Sequence, residues 1–201
     1  MEIRKINVKD RRIIEKIVKI HLETFKGFFL TFMGKGFLTC LYKSYCQYDE
    51  SGLLVAFEGT EPIGFLAYSG DYSGLYKFMI KKKLIPFAWY SVGAFFRSPK
   101  SFIRILRAFK KSDDVKREDK YIELASIGVK PEQKSMGVGS ALIDELKHIV
   151  AHNNYAYISL ETDADNNIAV NKFYQKNGFI LARTYKTREG RNMNEYNYIF
   201  S

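Results

Sequence analysis

The tightest constraint on this chain is the run Val129-Lys130-Pro131-Glu132-Gln133-Lys134-Ser135-Met136-Gly137-Val138-Gly139-Ser140-Ala141-Leu142. An apolar strand pattern passes there through a glycine-bearing loop straight into an amphipathic helix pattern, the order of an α/β layer. The first N–H groups of that helix lack intrahelical partners and lie at the positive end of its dipole, which suits a pyrophosphate. Gly137 and Gly139 carry no Cβ to hold a phosphate away from the backbone. Two glycines in such a turn also occur in α/β proteins without a ligand, so a second motif is needed.

It comes with Asn167-Ile168-Ala169-Val170-Asn171-Lys172-Phe173-Tyr174-Gln175-Lys176-Asn177-Gly178-Phe179, which reads as a short helix ended by Asn-Gly and followed by a strand. Together the two motifs resemble the GNAT acyltransferase superfamily, whose acyl-CoA loop after the fourth strand has the form Gln/Arg-x-x-Gly-x-Gly/Ala. Lys134 to Gly139 fills that loop, with Lys134 at the Gln/Arg place, a departure that keeps the positive charge. The family's later signature, an Asn followed by a helix ending Tyr-x-x-x-Gly-Phe, corresponds to Asn167 and to Tyr174 through Phe179. The likeness covers residues 121 to 200 well and the first 70 loosely, and stops over residues 71 to 118. It implies one α/β domain over residues 1–201, with a mixed central sheet of about seven strands flanked by helices. A helical insertion is expected between the third and fourth strands.

Periodicity supplies the other elements. Glu2 to Val8 reads as a strand, and Asp10 can cap a helix carrying the stripe Ile14, Ile17, Val18, His21, Leu22 and Phe25. A second helix is expected from about Gly36 to Tyr48, and Leu53 to Phe57 with Ile63 to Tyr68 reads as a hairpin. Strands follow over residues 121 to 130 and Tyr155 to Glu161, with helices over Val138 to His152 and Asn167 to Lys176. Phe179 to Lys186 should pair with Met193 to Phe200. The insertion carries two expected helices, Leu75 to Ala94 and Ser98 to Lys110, with breaks near Pro86 and Arg97-Ser98-Pro99. In the family the acceptor lies on that side of the sheet, so residues 71–118 are a candidate acceptor lid.

Composition narrows the class. A length of 201 residues with 46% hydrophobic residues supports a sizeable core without staples. Cys40 and Cys46 fall on different faces of one expected helix and are poorly placed to bridge, as in a reduced cytoplasmic protein. Met1 to Val8 alternates charged and apolar residues rather than forming an apolar leader. The net charge of +10 is concentrated: residues 70 to 111 hold ten Lys and Arg against one acid, Asp71, whereas the other 159 residues hold 22 basic and 21 acidic groups. Ten of those 42 residues are also aromatic, Trp89, Tyr90, Phe95 and Phe96 among them. Basic and aromatic residues together suit an anionic acceptor such as a nucleotide-linked aminosugar or an anionic membrane surface, with RNA least favoured. The same residues can pack two helices on the core or form a homodimer contact.

The resemblance implies that acetyl-CoA and a primary amine meet in a ternary complex, with no metal. Pantetheine would pair with the main chain of Ile127, Gly128 and Val129, in a splay between the strands holding Ile122 to Val129 and Tyr155 to Glu161. Lys134, Ser135, Met136, Gly137, Val138, Gly139 and Ser140 would hold the diphosphate, with Asn167, Asn171 and Phe173 also at the cofactor. Tyr174 matches the family's acid for the departing thiolate, and Asn167 also sits where it can cap its helix. Glu123, 14 residues before Gly137, has the spacing of the family's strand-borne base, and Glu161 is the second candidate. A base matters most for a lysine-like amine, for which neutrality at pH 7 costs about 4.6 kcal/mol, against about 1 kcal/mol for an α-amine. His148 and His152 stand one helical turn apart without a third ligand, so no metal site is expected.

Overall fold

The apolar patterns resolve into one seven-stranded sheet in a computed structural model that describes residues 1–97, 120–188 and 190–200. In chain order the elements are β1 (Glu2–Lys5), α1 (Arg11–Thr24), α2 (Phe29–Phe32), α3 (Gly34–Gln47), β2 (Ser51–Glu58), β3 (Glu61–Ser69) and α4 (Tyr72–Arg97). Then come β4 (Tyr121–Val129), a 3₁₀ turn (Pro131–Gln133), α5 (Val138–Ala151), β5 (Tyr157–Asp163), α6 (Ile168–Lys176), β6 (Ile180–Lys186) and β7 (Asn192–Ile199). The strand order is β1-β2-β3-β4-β5-β7-β6, with β4 and β5 parallel and the other neighbours antiparallel. The parallel pair follows from α5, because a crossover helix returns the chain to the same end of the sheet.

Helices cover both faces. On one, α1, α3 and α4 bury Ile14, Ile17, Leu38, Tyr42 and Leu75 against Leu53, Val55, Phe57 and Phe65. On the other, α5 buries Leu142, Ile143 and Leu146 against Leu54, Leu66, Ile122 and Leu160. Strands covered on both sides read as continuous apolar runs, and Ser51 through Phe57 is buried without interruption.

Three local readings change. A short helix, α2, precedes α3. Asp10 stands at the N-cap of α1 but makes no side-chain cap bond; its Oδ2 accepts from the Asn7 N–H instead, at 3.0 Å. The expected break at Pro86 is absent, for α4 runs through it. Pro86 is exposed, so the carbonyl that its missing N–H leaves free faces water. The helix expected over Ser98 to Lys110 lies outside the described residues.

α6 is docked by one amide. Asn171 Nδ2 donates to the carbonyls of Asp163 and Asn167 at 2.9 and 2.8 Å, while its Oδ1 accepts from Asn194 Nδ2 and the Tyr196 hydroxyl at 2.8 and 2.9 Å. Three of these four bonds tie the helix to β5 and β7, and the fourth closes on its own N-cap. Asn171→Ala should therefore lower stability by about 2 kcal/mol, chiefly by stranding the buried Tyr196 hydroxyl, as read from urea unfolding.

His21, on the core stripe of α1, is 2% exposed. Its Nδ1 lies 2.6 Å from the Tyr42 hydroxyl, its Nε2 has no partner among the described residues, and burial pushes its pKa down to about 4. Below the ordinary imidazole range the unfolded chain binds a proton that the native ring refuses. Stability should be fully present above pH of about 6.5 and fall by up to about 3 kcal/mol as pH drops toward 4. His21→Gln should flatten that slope in urea midpoints; an unchanged slope would assign it to other groups.

Candidate active site

The site begins where two parallel strands part. β4 and β5 pair only through Tyr121 with Tyr157, Ile122 with Ile158 and Glu123 with Ser159. β4 then continues beside β3 to Val129, and β5 beside β7 to Asp163, so an opening widens between them. The β3/β4 register explains the parting: Ala67 opposes Ser126 and Tyr68 opposes Leu124, leaving Ala125 as an extra residue. Such a bulge bends its strand, here directly after the last β4/β5 pair.

The ladder also shows which groups face the opening. The Lys130 N–H donates to the Ile63 carbonyl at 2.9 Å, so Lys130, Gly128 and Ser126 hold the positions bonded to β3. Ile127 and Val129 alternate with them, and their N–H and C=O groups point away from β3 into the opening. At its mouth the Thr24 hydroxyl donates to the Val129 carbonyl at 3.0 Å, which anchors the end of α1 there.

The loop leading to α5 stands beside this opening. Ser135 and Gly137 have φ of 65° and 81°, and nothing lies within 4 Å of where a Gly137 Cβ would project. The first helical bond runs from the Ala141 N–H to the Gly137 carbonyl at 3.0 Å, and no side chain caps this end. Lys134 through Gly137 are exposed, whereas Val138 is buried. At Gly139 a Cβ would come 3.0 Å from the Phe173 ring, which lies partly buried against the same core as α5.

Tyr174 is 7% exposed, with ring centroids 5.3 Å from Phe173, 5.9 Å from Phe179 and 6.2 Å from Tyr196. Burial pushes its pKa up, which keeps the phenol protonated at neutral pH, and no hydrogen-bond partner is recorded for its hydroxyl among the described residues. Gly178, with φ of 83°, turns the chain out of α6, and the Phe179 N–H closes the end on the Tyr174 carbonyl at 3.1 Å. Asn167 occupies the N-cap position without a side-chain cap bond; its Nδ2 donates to Thr162 Oγ1 at 2.8 Å and to the Asp163 carbonyl at 3.1 Å. The Asn171 amide is engaged by the three bonds that dock α6 and by one to the helix's own N-cap.

The opposite face of the sheet is acidic and phenolic. Glu123, paired in register with Ser69 and Ser159, sits beside Tyr45 of α3 and Tyr72 and Tyr76 of α4. Burial pushes all three phenols up first; neighbouring phenols come next for Tyr45 and Tyr72, and the Glu123 carboxylate adds to all three. Glu161 opposes Glu195 across β5 and β7, and the Tyr185 pKa is raised by burial and then by a hydrogen bond to Glu161. Glu195 is 4% exposed and accepts from Arg183 Nε at 2.7 Å, with the Ser159 hydroxyl 3.5 Å away. Glu123 and Glu161 thus share one face, while the loop before α5 and Tyr174 belong to the other. Glu195, Ser159, Tyr72 and Tyr76 were not anticipated; a buried glutamate in Asn192-Met193-Asn194-Glu195-Tyr196 has no local signature. His152 Nδ1 lies 2.6 Å from the His148 carbonyl, within the turn of helix that carries both.

A family profile described as Acetyltransferase (GNAT) family matches residues 14–179. No curated protein matches the sequence significantly. Among solved structures, aminoglycoside 6′-acetyltransferase type Ii is similar with a TM-score of 0.65 at 12% identity, over 99% of this chain and 97% of its own. Ribosomal-protein-alanine N-acetyltransferase from Brucella melitensis gives 0.60 at 16% identity, over the full length of both chains. PaiA N-acetyltransferase from Thermoplasma acidophilum, solved in complex with coenzyme A, gives 0.58 at 16% identity, over 98% of each chain. At these identities the likeness carries the fold, while the profile spans most of the sequence. The chain belongs to the GNAT family of acetyltransferases.

Proposed function

We propose that the protein transfers acetyl from acetyl-CoA to a primary amine by direct attack in a ternary complex. The observation that carries this reading is the opening beyond Glu123 and Ser159, into which the backbone groups of Ile127 and Val129 point. A pantetheine arm laid between β4 and β5 would find those donors and acceptors already placed, as an added strand would. The residues around it fit the rest of the cofactor. The uncapped first turn of α5, from Gly137 to Ser140, and Lys134 offer N–H groups and one cation to a diphosphate, with open space where Gly137 lacks a side chain.

On this reading the two faces divide the proton work. Tyr174 holds a proton at neutral pH and is the acid for the thiolate, while Phe173 and Asn167 line the cofactor side. Glu123 accepts the ammonium proton, directly or through a water. Glu123, Glu161 and Glu195 lie on one face of the sheet, where Arg183 pairs with Glu195, and this concentration of carboxylates favours a cationic acceptor. That supports a small-molecule amine, including an aminosugar, or a peptide amine. Lys81 and Lys82, which on sequence suggested an anionic acceptor, are exposed on α4, whose Tyr72 and Tyr76 lie beside Glu123.

The test is CoA thiol release from acetyl-CoA across aminosugars, polyamines, amino acids, and lysine and N-terminal peptides. Release should occur with a cationic class, and Tyr174→Phe should lower kcat by about 10²-fold while KM for acetyl-CoA stays nearly unchanged. An unaltered rate would end the acid assignment. Glu123→Gln should cut kcat/KM more for a lysine-like amine than for an α-amine, because only the first needs substantial help to become neutral. Gly137→Val should weaken CoA binding in calorimetry by about tenfold or more, through both its left-handed φ and its Cβ at the loop. Thermal stabilisation by acetyl-CoA without release to any amine would instead describe a CoA-binding protein that does not turn over.

A further inference from the structure

We propose that α4 docks the protein on the surface of an anionic phospholipid bilayer. The inference is independent of acetyl transfer and rests on the side of the helix that faces away from the sheet. α4 buries Leu75, Met79 and Phe87, the last with its ring 4.9 Å from Phe37 of α3. Its other side is apolar as well: Leu84 is 58% exposed, Ile85 82% and Trp89 76%, with Ile80 at 44%. At 100° per residue Ile80 and Leu84 form one pair of neighbours and Ile85 and Trp89 another. Lys81 falls between the pairs and Lys82 beside Trp89, both exposed. No acidic residue occurs between Tyr72 and Arg97.

This mixture selects its occupant. A second copy meeting the same face would set lysines against lysines. A nucleic acid would neutralise the lysines but leave Ile80, Leu84 and Ile85 without an apolar partner. Insertion across a bilayer is ruled out for α4, since among the described residues no helix is long and apolar enough to cross a membrane. A helix lying in the headgroup region satisfies both parts, with aliphatic and indole side chains at the acyl boundary and ammonium groups at lipid phosphates. Each lysine near such a surface raises partitioning by about fivefold.

Trp89 is the sole tryptophan of the sequence, so its emission reports this face directly. The full chain is titrated with vesicles of phosphatidylcholine containing phosphatidylglycerol, and with vesicles of phosphatidylcholine alone, following emission and co-sedimentation. Expected are a blue shift and binding with the anionic vesicles, weakened by salt, and little of either with the neutral ones. Ile85→Asp and the double variant Lys81→Glu/Lys82→Glu should each reduce binding by about tenfold or more, with thermal melting unchanged. No shift and no sedimentation, or equal binding to both vesicles, would overturn the proposal. So would blue emission from the protein alone, showing the face already covered, or a shift that appears only with RNA or with rising protein concentration.

Discussion

The parting of β4 from β5 after a three-residue pairing is the constraint to which the remaining structure answers. Parallel neighbours ordinarily satisfy each other's main-chain groups, and stopping the ladder at Glu123 and Ser159 leaves donors and acceptors of Ile127 and Val129 turned into a gap. The extra residue at Ala125 makes the departure possible without breaking the β3/β4 ladder, which resumes at Ser126. Helices packed on both faces then hold the strands apart: α1 reaches the mouth through Thr24, and α5 seals the other side with Val138 and Leu142.

Around that gap the two faces carry opposite charge preferences. One presents an uncapped helix N-terminus and Lys134, the other glutamates on β4, β5 and β7 among half-buried phenols. Under the proposed function, a polyanionic cofactor and a cationic amine would approach from different sides without competing for the same groups. α4 preserves the separation, because its buried side contributes Tyr72 and Tyr76 near Glu123 while Lys81 and Lys82 stay on the solvent side.

Much of the fold was legible because its signals are local. Seven strands, the crossover helix and the short helix ended by Gly178 emerge from periodicity and turn chemistry, with boundaries moved by up to three residues. The phosphate-type loop was legible for the same reason, since a glycine at φ of 81° before a helix is a local demand. What escaped is one local competition, the exposure of one helix face and one set of contacts between distant residues. The capping role given to Asp10 failed because Asn7 competes for its carboxylate, and the helix break at Pro86 failed because that face is open to water. Asn171 looked like a polar residue one turn after Asn167, yet its partners Asn194 and Tyr196 come from a strand more than twenty residues away.

The sequence by itself determined the order of elements and the glycine-bearing loop before α5, because each depends on neighbours within a few positions, whereas the roles proposed for Tyr174 and Glu123 rest on the resemblance. Only the tertiary structure decided that β4 and β5 part after Glu123, that the buried Glu195 pairs with the exposed Arg183 on the same face as Glu123 and Glu161, and that Ile85 and Trp89 are left outside. Strand register, sheet order and the packing of α4 set those facts. They are fixed by pairing between residues far apart in the chain, which a local pattern does not encode.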